Sequence, residues 1–304
     1  MSTRPSALAS NRIGPGKTFH RYYTPLRYPG GKSSLGKYLR QIFVENRLTG
    51  GIYVEPYAGG ASIAMELLMT GYAQEVWLND IDLAIYAFWK SALHDTEALI
   101  KLVKTTPLTV TEWRRQRAIY LNSEKHDTLT TGFAALFLNR TNRSGILNGG
   151  IIGGFSQKGR WLIDARFNRS ELAERILRIG HYRHRVHLFN DDAEVFLRGL
   201  RLPTKSLIYL DPPYFHKGQR MYRNHYERED HARIADLVLN ELPCRWVVSY
   251  DDASEIANLY ADQRQIRYAL HYSAQTKRKG GELMIFCDAL RIPKTNNPAH
   301  FRFD

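Results

Sequence analysis

The segment "IYVEPYAGGASIAMELL", Ile52 to Leu68, joins three kinds of local sequence. It begins with β-branched and aromatic residues typical of a short buried strand, is interrupted by Gly59 and Gly60, and continues with an apolar helical pattern. Strand, glycine turn and helix in this order are typical of nucleotide-binding βαβ units, in which small residues let a ligand approach the backbone at the helix N-terminus. We therefore expect an α/β fold with a ligand site beyond this strand.

A second strand-like segment, "EVWLNDID", places an acid where such folds bind ribose. Asp80 lies twenty positions after Gly60, a spacing at which a carboxylate accepts hydrogen bonds from ribose hydroxyls. The turn is not G-x-G-x-x-G, so it does not indicate a pyrophosphate-holding loop. Nor is "RYPGGKSSL" a phosphate-binding loop, because Leu26 stands where that motif needs glycine. An adenosine ligand without phosphates fits better, and S-adenosylmethionine is one.

Strand-like and helix-like segments alternate along most of the chain, as in "RVHLFN", "AEVFLRGL", "SLIYLD" and "REDHARIADLVLNEL". The alternation predicts a Rossmann-like fold with a mostly parallel twisted sheet. Helix caps are expected at Ser33 or Ser34, at Thr109 and at Asn168. We expect a flexible basic arm over residues 1–22, a main domain over 23–105 and 186–304, and an inserted, glycine-rich domain over 106–185.

The charge of the chain is strongly and unevenly positive. Among 304 residues there are 43 Lys and Arg against 30 Asp and Glu, a formal net charge of +13, and no acid precedes Glu45. This imbalance predicts a polyanionic partner, and nucleic acid fits better than a membrane surface. The chain has neither an apolar run long enough to span a bilayer nor a signal-peptide core, so we expect a cytoplasmic protein without membrane contact. Cys244 and Cys287 are expected to be buried thiols, and the eleven histidines suggest no metal site.

The strand "SLIYL" ends abruptly at Asp211, Pro212, Pro213 and Tyr214. Prolines cannot continue a central ladder, and a carboxylate beside the core is costly without a task. The exocyclic amine of adenine is a poor nucleophile because its lone pair is delocalised into the ring. Asp211 and the carbonyl of Pro212 can accept the amine hydrogens, turn the lone pair toward a methyl donor and stabilise the developing positive charge. Tyr214 offers a ring on which an extruded base can stack, so the predicted catalytic residues are Asp211, Pro212 and Tyr214.

The ordered motifs "RYPGGK", "VEPYAGG" and "DPPY" resemble those of the Dam-type family of DNA N6-adenine methyltransferases, over roughly Arg27 to Phe286. The resemblance implies S-adenosylmethionine as the methyl donor, double-stranded DNA as the partner, and direct in-line transfer to a flipped adenine without metal. It makes 23–105 with 186–304 the catalytic methyltransferase domain and 106–185 an inserted DNA target-recognition domain. It leaves open the recognition sequence, a companion restriction endonuclease and the oligomeric state.

The resemblance also implies roles for single residues. Tyr28 and Lys32 would contact the cofactor, and Asp80 would bind its ribose. Asp192 would bind the cofactor's adenine, but the family usually has Asp-Phe there, so Asp191 competes for this role. Residues of the glycine turn would line the methionine end. The complete cofactor-binding set is Tyr28, Lys32, Glu55, Pro56, Ala58, Gly59, Gly60, Ala61, Asp80, Asp192 and Asp211.

Two basic segments are candidates for DNA contact. "LNRTNRSGILNGG" is similar to the segment with which the family approaches DNA, and "HKGQRMYRNHYER" interleaves basic and aromatic residues as a lid over phosphates would. "TKRKGGE" is either a third phosphate contact or a charged hairpin tip. The predicted DNA-binding residues are Arg27, Arg140, Asn142, Arg143, Lys158, Lys217, Arg220, Tyr222 and Arg223.

Other functions remain open at the level of sequence. An RNA adenine or DNA cytosine-N4 methyltransferase would use the same chemistry, although such enzymes more often carry Asn or Ser where this chain has Asp211. A DNA-binding module that has lost turnover is a third interpretation, which the intact Asp211, Tyr214, Asp80 and Lys32 disfavour. An NAD-dependent enzyme is the weakest, because the glycine fingerprint is missing.

Overall fold

The computed structural model describes residues 23–27, 32–215, 226–242, 244–271, 279–295 and 297–302. The predicted arm over 1–22 lies outside this part of the chain. Within this described part, seven strands form one sheet in the spatial order 3-2-1-4-5-7-6, in which the seventh strand runs opposite to the other six. The prediction of a mostly parallel α/β sheet is therefore confirmed. The strands are β1 (Gly51–Glu55), β2 (Ala73–Asn79), β3 (Val186–Phe189), β4 (Ser206–Leu210), β5 (Arg245–Asp251), β6 (Arg264–His271) and β7 (Lys279–Phe286).

The helices begin mostly where the sequence predicts. Thr109 and Asn168 each accept a hydrogen bond from the backbone N–H three residues on, which confirms both caps. The serine cap is wrong: the first α-helix continues from a 3-10 turn over Lys32–Leu35, and Leu35 precedes it without a side-chain cap. The helices are α1 (Gly36–Glu45), α2 (Ser62–Met69), α3 (Leu83–His94), α4 (Thr96–Thr105), α5 (Val110–Leu121), α6 (Thr128–Thr141), α7 (Arg169–Gly180), α8 (Ala193–Gly199), α9 (Arg228–Asn240) and α10 (Ser254–Leu259).

The order of the strands in the sheet has a switch point between β1 and β4: β2 and β3 lie on the far side of β1, and β5 lies on the far side of β4. β1 pairs in parallel with β2 on one side and with β4 on the other. The loops after β1 and β4 therefore leave the carboxyl edge in opposite directions and open a crevice, which is where open α/β sheets bind ligands. Glu55 ends β1 and Asp211 directly follows β4, so the two motifs meet at this crevice.

The chemistry of β4 fits its central place in the sheet. All five residues of "SLIYL" are buried, and a parallel strand covered on both faces is expected to be a continuous apolar run. The carboxylate of Asp211 comes only after the last ladder residue. A buried strand and a reactive turn are thereby joined without placing a charge inside the ladder.

The inserted segment is built on the same core as the sheet. It lies between β2 and β3 in the chain, and its helix α6 packs along α3 and α5. Residues 131–141 of α6 are all buried. The boundaries 106 and 185 remain a prediction, but the described helices of this segment share one continuous hydrophobic cluster with the sheet and its helices.

Neither a membrane span nor a metal cluster occurs in the described residues. No helix there is long and apolar enough to cross a bilayer. Within the same ranges, no three His, Cys, Asp or Glu side chains gather as metal ligands would. Cys244 and Cys287 are free thiols, the first half-buried and the second buried.

The close approach of α6 to α3 gives a test of the fold. A Cβ at Gly132 would lie 2.5 Å from the carbonyl oxygen of Ala87, and backbone cannot easily yield. Gly132→Ala is expected to lower the free energy of unfolding by about 1–3 kcal/mol in chemical denaturation. Gly199→Ala is the control, since nothing lies within 4 Å of its new methyl group. Equal stability of the two variants would contradict the packing.

Candidate active site

The acid that follows β4 is held by a buried lysine. Lys32 Nζ lies 2.7 Å from Asp211 Oδ1 and 2.6 Å from Ser249 Oγ. It also lies 3.1 Å from Glu282 Oε2. Burial by itself would lower the pKa of Lys32, but the charge of Asp211 and the groups beside it raise that pKa well above its usual value. The ammonium is therefore a permanent charge that fixes the position of Asp211.

Tyr214 is fixed by the same cluster. Its hydroxyl donates to Glu282 Oε1 at 3.1 Å, and Lys32 Nζ lies 5.4 Å from the centre of its ring. Glu282 itself is fully buried, and this burial raises its pKa to about 7, an effect that Lys32 opposes and Asp211 reinforces. One cation thus serves two carboxylates and one aromatic ring.

Glu282 and Ser249 are residues that sequence reasoning missed. Glu282 ends the segment "TKRKGGE", for which the sequence predicts a phosphate contact or a hairpin tip; residues 276–278 of it lie outside the described ranges, but Glu282 is in β7 beside Lys32. The signal was present in the sequence, because Glu282 directly precedes the apolar run "LMIFC". An acid at the start of a buried strand needs a partner.

The turn after β4 leaves Asp211 accessible from solvent. The backbone N–H of Phe215 donates to Asp251 Oδ1 at 2.9 Å, which ties the end of the turn to β5. Pro212 and Pro213 bring no N–H groups of their own. The Asp211 side chain is 31% exposed although Lys32 is 5% exposed. Asp211 is therefore held from inside the protein and reachable from the crevice.

The glycine turn after β1 has the backbone conformation that its small residues suggest. Gly59 has a φ of 46° and Ala61, which precedes α2, has a φ of 41°. The N–H of Gly59 donates to Asp80 Oδ2 at 2.8 Å, and its carbonyl accepts from Trp89 Nε1 at 2.9 Å. An alanine in the left-handed region is uncommon and tends to mark ligand sites. The turn and Asp80 are thus brought together, as predicted from their spacing.

Two acids at the crevice are poorly solvated. Burial raises the pKa of Asp80 to about 7, with repulsion from Asp82 adding to the effect. Burial also raises the pKa of Glu55 to about 8, against a hydrogen bond of 3.1 Å from Tyr53 Oη. Acids in this state favour a ligand that brings positive charge or hydroxyl donors, and they disfavour a phosphate. The two carboxylates therefore fit a cationic adenosine derivative.

Asn79 positions the loops of the crevice and was also missed. Its Nδ2 donates to the carbonyls of Pro56 and Asp191, each at 3.0 Å. Its Oδ1 accepts from the N–H of Asp191 at 2.9 Å. The side chain is 1% exposed. A single amide therefore ties the turn after β1 to the loop after β3.

The competing acids after β3 are both exposed. Asp192 caps α8, because its Oδ1 accepts from the N–H of Glu194 at 2.9 Å. Asp191 is held through its backbone by the Asn79 amide. Across the crevice, the hydroxyls of Tyr57 and Tyr226 lie 2.9 Å apart. The assignment of the adenine-binding acid remains a prediction for both residues.

Two of the predicted DNA contacts need correction. Arg140 is buried, and its guanidinium donates to the carbonyls of Arg166 at 2.7 Å and Pro25 at 3.3 Å. Asn142 is fully buried and accepts from Trp113 Nε1 at 2.6 Å. Both side chains are already hydrogen-bonded to backbone or side-chain groups of the protein. They stabilise the inserted segment instead of facing DNA.

The remaining predicted DNA residues fall into two groups. Arg143 and Lys158 are exposed, and Arg27 is half-buried with its backbone hydrogen-bonded on both sides by the Asn139 amide. Their contact with DNA remains a prediction. The other predicted DNA residues lie outside the described residues; they are Lys217, Arg220, Tyr222 and Arg223. The cofactor candidate Tyr28 also lies outside them.

The inserted segment carries two large aromatic side chains that are mostly exposed. Phe155 is 61% and Trp161 is 59% exposed. The Arg114 guanidinium lies 5.4 Å from the centre of the Phe155 ring, and that of Arg160 lies 5.5 Å from Trp161. Both aromatic residues stand in "GGFSQKGRW", a segment from which the sequence prediction named only Lys158. The structure adds this surface to the candidates for nucleic-acid contact.

The sheet order and the acid-proline turn at its switch point define a Rossmann-like methyltransferase. Residues 28–278 match the family model described as "D12 class N6 adenine-specific DNA methyltransferase", so the chain belongs to this family. It is 24% identical over 202 residues to the Type II methyltransferase M.MjaIII of Methanocaldococcus jannaschii, covering 62% of this chain and 68% of that protein. The family makes the chain an adenine-specific DNA methyltransferase that uses S-adenosylmethionine.

Solved structures give weaker likenesses. A protein of Listeria monocytogenes, provisionally assigned as a class I S-adenosylmethionine-dependent methyltransferase, matches with a TM-score of 0.37 and 10% identity. That match covers 87% of this chain but 63% of the Listeria protein. A provisionally assigned methyltransferase of Streptococcus mutans, solved in complex with SAH, matches with a TM-score of 0.33 and 7% identity, covering 80% of this chain and 96% of that one.

The bridging role of Asn79 can be tested. Asn79→Ala leaves an N–H of Asp191 and two carbonyls without their partner, which is expected to lower the free energy of unfolding by about 1–3 kcal/mol. Because the turn after β1 and the loop after β3 loosen, the dissociation constant for S-adenosylmethionine should rise about tenfold in calorimetric titration. Asn240→Ala, which removes an exposed amide from α9, is the control. An unchanged dissociation constant in Asn79→Ala would contradict the role.

Proposed function

We propose that this chain methylates N6 of adenine in double-stranded DNA by direct in-line transfer, with Asp211, Pro212 and Tyr214 at the flipped base. The observation that carries the proposal is the placement of Asp211. It lies at the switch point of the sheet, is fixed by a buried ammonium, and remains accessible from solvent. A rigid, accessible acceptor beside a ligand crevice is what the amine of adenine requires.

The cofactor site is proposed at the crevice after β1 and β2. Glu55 would hold the amino-acid end of the cofactor, Asp80 the ribose, and the Ala58 to Ala61 turn would let the ligand approach the backbone. When bound, S-adenosylmethionine supplies an electrophilic methyl group. The poorly solvated state of Asp80 and Glu55 supports this assignment, because a cationic ligand with hydroxyl groups would stabilise their ionised forms.

The protein acts on the base by accepting its amine hydrogens. Asp211 accepts a hydrogen bond from one amine N–H and the carbonyl of Pro212 accepts one from the other, which turns the nitrogen lone pair out of conjugation. As the bond from the methyl carbon to nitrogen forms and its bond to sulfur breaks, positive charge would develop on the nitrogen beside a fixed carboxylate, and the methylated amine would then lose one proton to become neutral. Lys32 keeps this carboxylate in place without approaching from the solvent side. The Tyr214 ring lies beside the same ammonium, and its hydroxyl is hydrogen-bonded to Glu282.

Contact with DNA is proposed for the inserted segment. Its exposed cations include Arg143, Lys158 and Arg160, and Phe155 and Trp161 stand among them. Arg166 adds a second guanidinium, 6.0 Å from the centre of the Trp161 ring. Cations bind phosphates without regard to sequence, whereas aromatic rings bind bases by stacking or wedge into the duplex. A surface that combines both fits an enzyme that must open a base pair.

The catalytic assignment is tested with Asp211→Asn. The amide keeps the shape of the side chain but loses the charge that stabilises the methylated amine, so kcat is expected to fall at least about 100-fold. Transfer of a labelled methyl group to unmethylated duplex DNA, followed by nucleoside mass spectrometry, measures both the rate and the base. Calorimetric titration with S-adenosylmethionine checks that the variant still binds its cofactor. N6-methyladenine at the wild-type rate from Asp211→Asn would refute the assignment.

The DNA surface is tested with Phe155→Ala and Trp161→Ala. Loss of a stacked base contact is expected to weaken binding of duplex DNA by about 1–3 kcal/mol, with little change in the salt dependence of affinity. Fluorescence anisotropy at several salt concentrations measures both quantities. Val44→Ala, an exposed apolar side chain on α1, is the control. Affinities equal to the control in both variants would place the DNA elsewhere.

A further inference from the structure

We propose that Glu282 is a positioning residue for methyl transfer, which keeps the Lys32 ammonium shared between two carboxylates and holds the Tyr214 hydroxyl. The inference rests on the proposed function, because it concerns the same reaction. Asp211 is useful only while it can still accept hydrogen bonds from adenine. Glu282 preserves that capacity by taking part of the ammonium's charge.

The geometry follows from the reversed strand. β7 runs antiparallel between β5 and β6, and Glu282 stands opposite Asp251 on one side and Tyr268 on the other. Directly opposed residues of a sheet point to the same face. Ser249 lies two residues before Asp251 and shares this face. Lys32 reaches the sheet there, and therefore contacts both Ser249 and Glu282.

The balance of charge around Glu282 is acidic. The titratable groups around it within the described residues include Lys32, Asp211, Asp251, Tyr214 and Tyr268. Among these described neighbours Lys32 is the cation, and it faces two acids at 2.7 and 3.1 Å. If Glu282 lost its charge, the Lys32 ammonium would form an ion pair with Asp211 and no longer with Glu282. A more tightly paired Asp211 is a weaker acceptor for the adenine amine.

A merely structural role can be separated from this one. A glutamine at 282 fills the same space and still accepts from Tyr214, but it cannot balance the ammonium. Phenylalanine at 214 removes the hydrogen bond to Glu282 and leaves the charge. Glu282→Gln and Tyr214→Phe therefore test the two contributions one at a time. Glu66→Gln is the matched control, because Glu66 is also a buried acid with a cation, Arg40 at 3.3 Å, but lies on α2 outside this cluster.

The pH dependence gives an independent readout. The pKa of Glu282 is raised to about 7, so its charged form grows in as the pH passes through that value. If the charged form supports Asp211, kcat of the wild type should rise between about pH 6 and 8. This limb should vanish in Glu282→Gln. Asp80 and Glu55 titrate in the same region, and saturating cofactor is used so that their effect on binding does not enter kcat.

The experiment compares steady-state methylation of duplex DNA by the wild type and the three variants across this pH range. Glu282→Gln is expected to lower kcat about tenfold or more, to leave both KM values within about twofold, and to flatten the pH profile. Tyr214→Phe should lower kcat and keep the pH limb. Glu66→Gln should behave as the wild type does.

A measurement without ligands keeps the test independent of turnover. With carbon-13 in the glutamate carboxyl groups, two resonances should titrate between about pH 7 and 8, those of Glu282 and Glu55, and the Glu282 resonance should be absent from Glu282→Gln. In Asp211→Asn this resonance should titrate at lower pH, because a repelling charge has been removed and the ammonium is left to Glu282. If Glu282→Gln does not fold, Glu55→Gln identifies the Glu55 resonance, so that the shift of the Glu282 resonance in Asp211→Asn still tests the proposal.

The outcomes separate the two proposals. If the wild type leaves duplex DNA unmethylated, the proposed function is refuted. An active wild type whose kcat and pH profile are unchanged by Glu282→Gln would overturn the role of Glu282 alone. That role is equally overturned if Asp211→Asn leaves the Glu282 resonance unmoved.

Discussion

The site depends on one ammonium ion placed inside the protein. Lys32 holds Asp211 at 2.7 Å while also contacting Glu282 and Ser249. An isolated charge at this depth would be strongly unfavourable, and so would the fully buried carboxylate of Glu282 without it. Lys32 and Glu282 therefore stabilise each other, and Asp211 joins them from the solvent side. Because Lys32 precedes α1, Asp211 follows β4, and Ser249 and Glu282 lie on β5 and β7, the site exists only when these parts of the fold have assembled.

The sheet supplies the second constraint. With β1 and β4 adjacent and their successors on opposite sides, the glycine turn and the acid-proline turn open onto one crevice. Asn79 then sets the distance between the loops on the cofactor side through its bonds to Pro56 and Asp191. The reversed strand β7 brings Glu282 to the same edge. The strand order thus brings Asp211 and Glu282 to one edge of the sheet, and side-chain hydrogen bonds fix their relative positions.

Much of this arrangement could be predicted from the chain itself. The strand-turn-helix motif, Asp80 and the turn at Asp211 carry local patterns whose consequences are local, and the resemblance ordered them. Glu282, Ser249 and Asn79 carry no such pattern, because their partners lie far away in the chain. Arg140 and Asn142 misled the prediction for a related reason: basic and amide side chains in a glycine-rich segment suggest DNA, but unpaired backbone groups nearby compete for them. Tertiary hydrogen bonding decided that competition.

The Asn139 amide has a consequence for how this architecture can change. It hydrogen-bonds the backbone of Arg27 on both sides and also the carbonyl of Gly145, so the stretch leading to Lys32 is fastened to the inserted segment. A Cβ at Gly145 would lie 2.6 Å from the Arg27 carbonyl oxygen, which makes the fit a close one. The inserted segment, for which we propose DNA contact, and the segment that leads to Lys32 are therefore not separable modules here. If the insertion of a relative replaced that of this chain, it would need residues equivalent to Asn139 and Gly145. Without them, the segment that leads to Lys32 would lose its hydrogen bonds to the insertion.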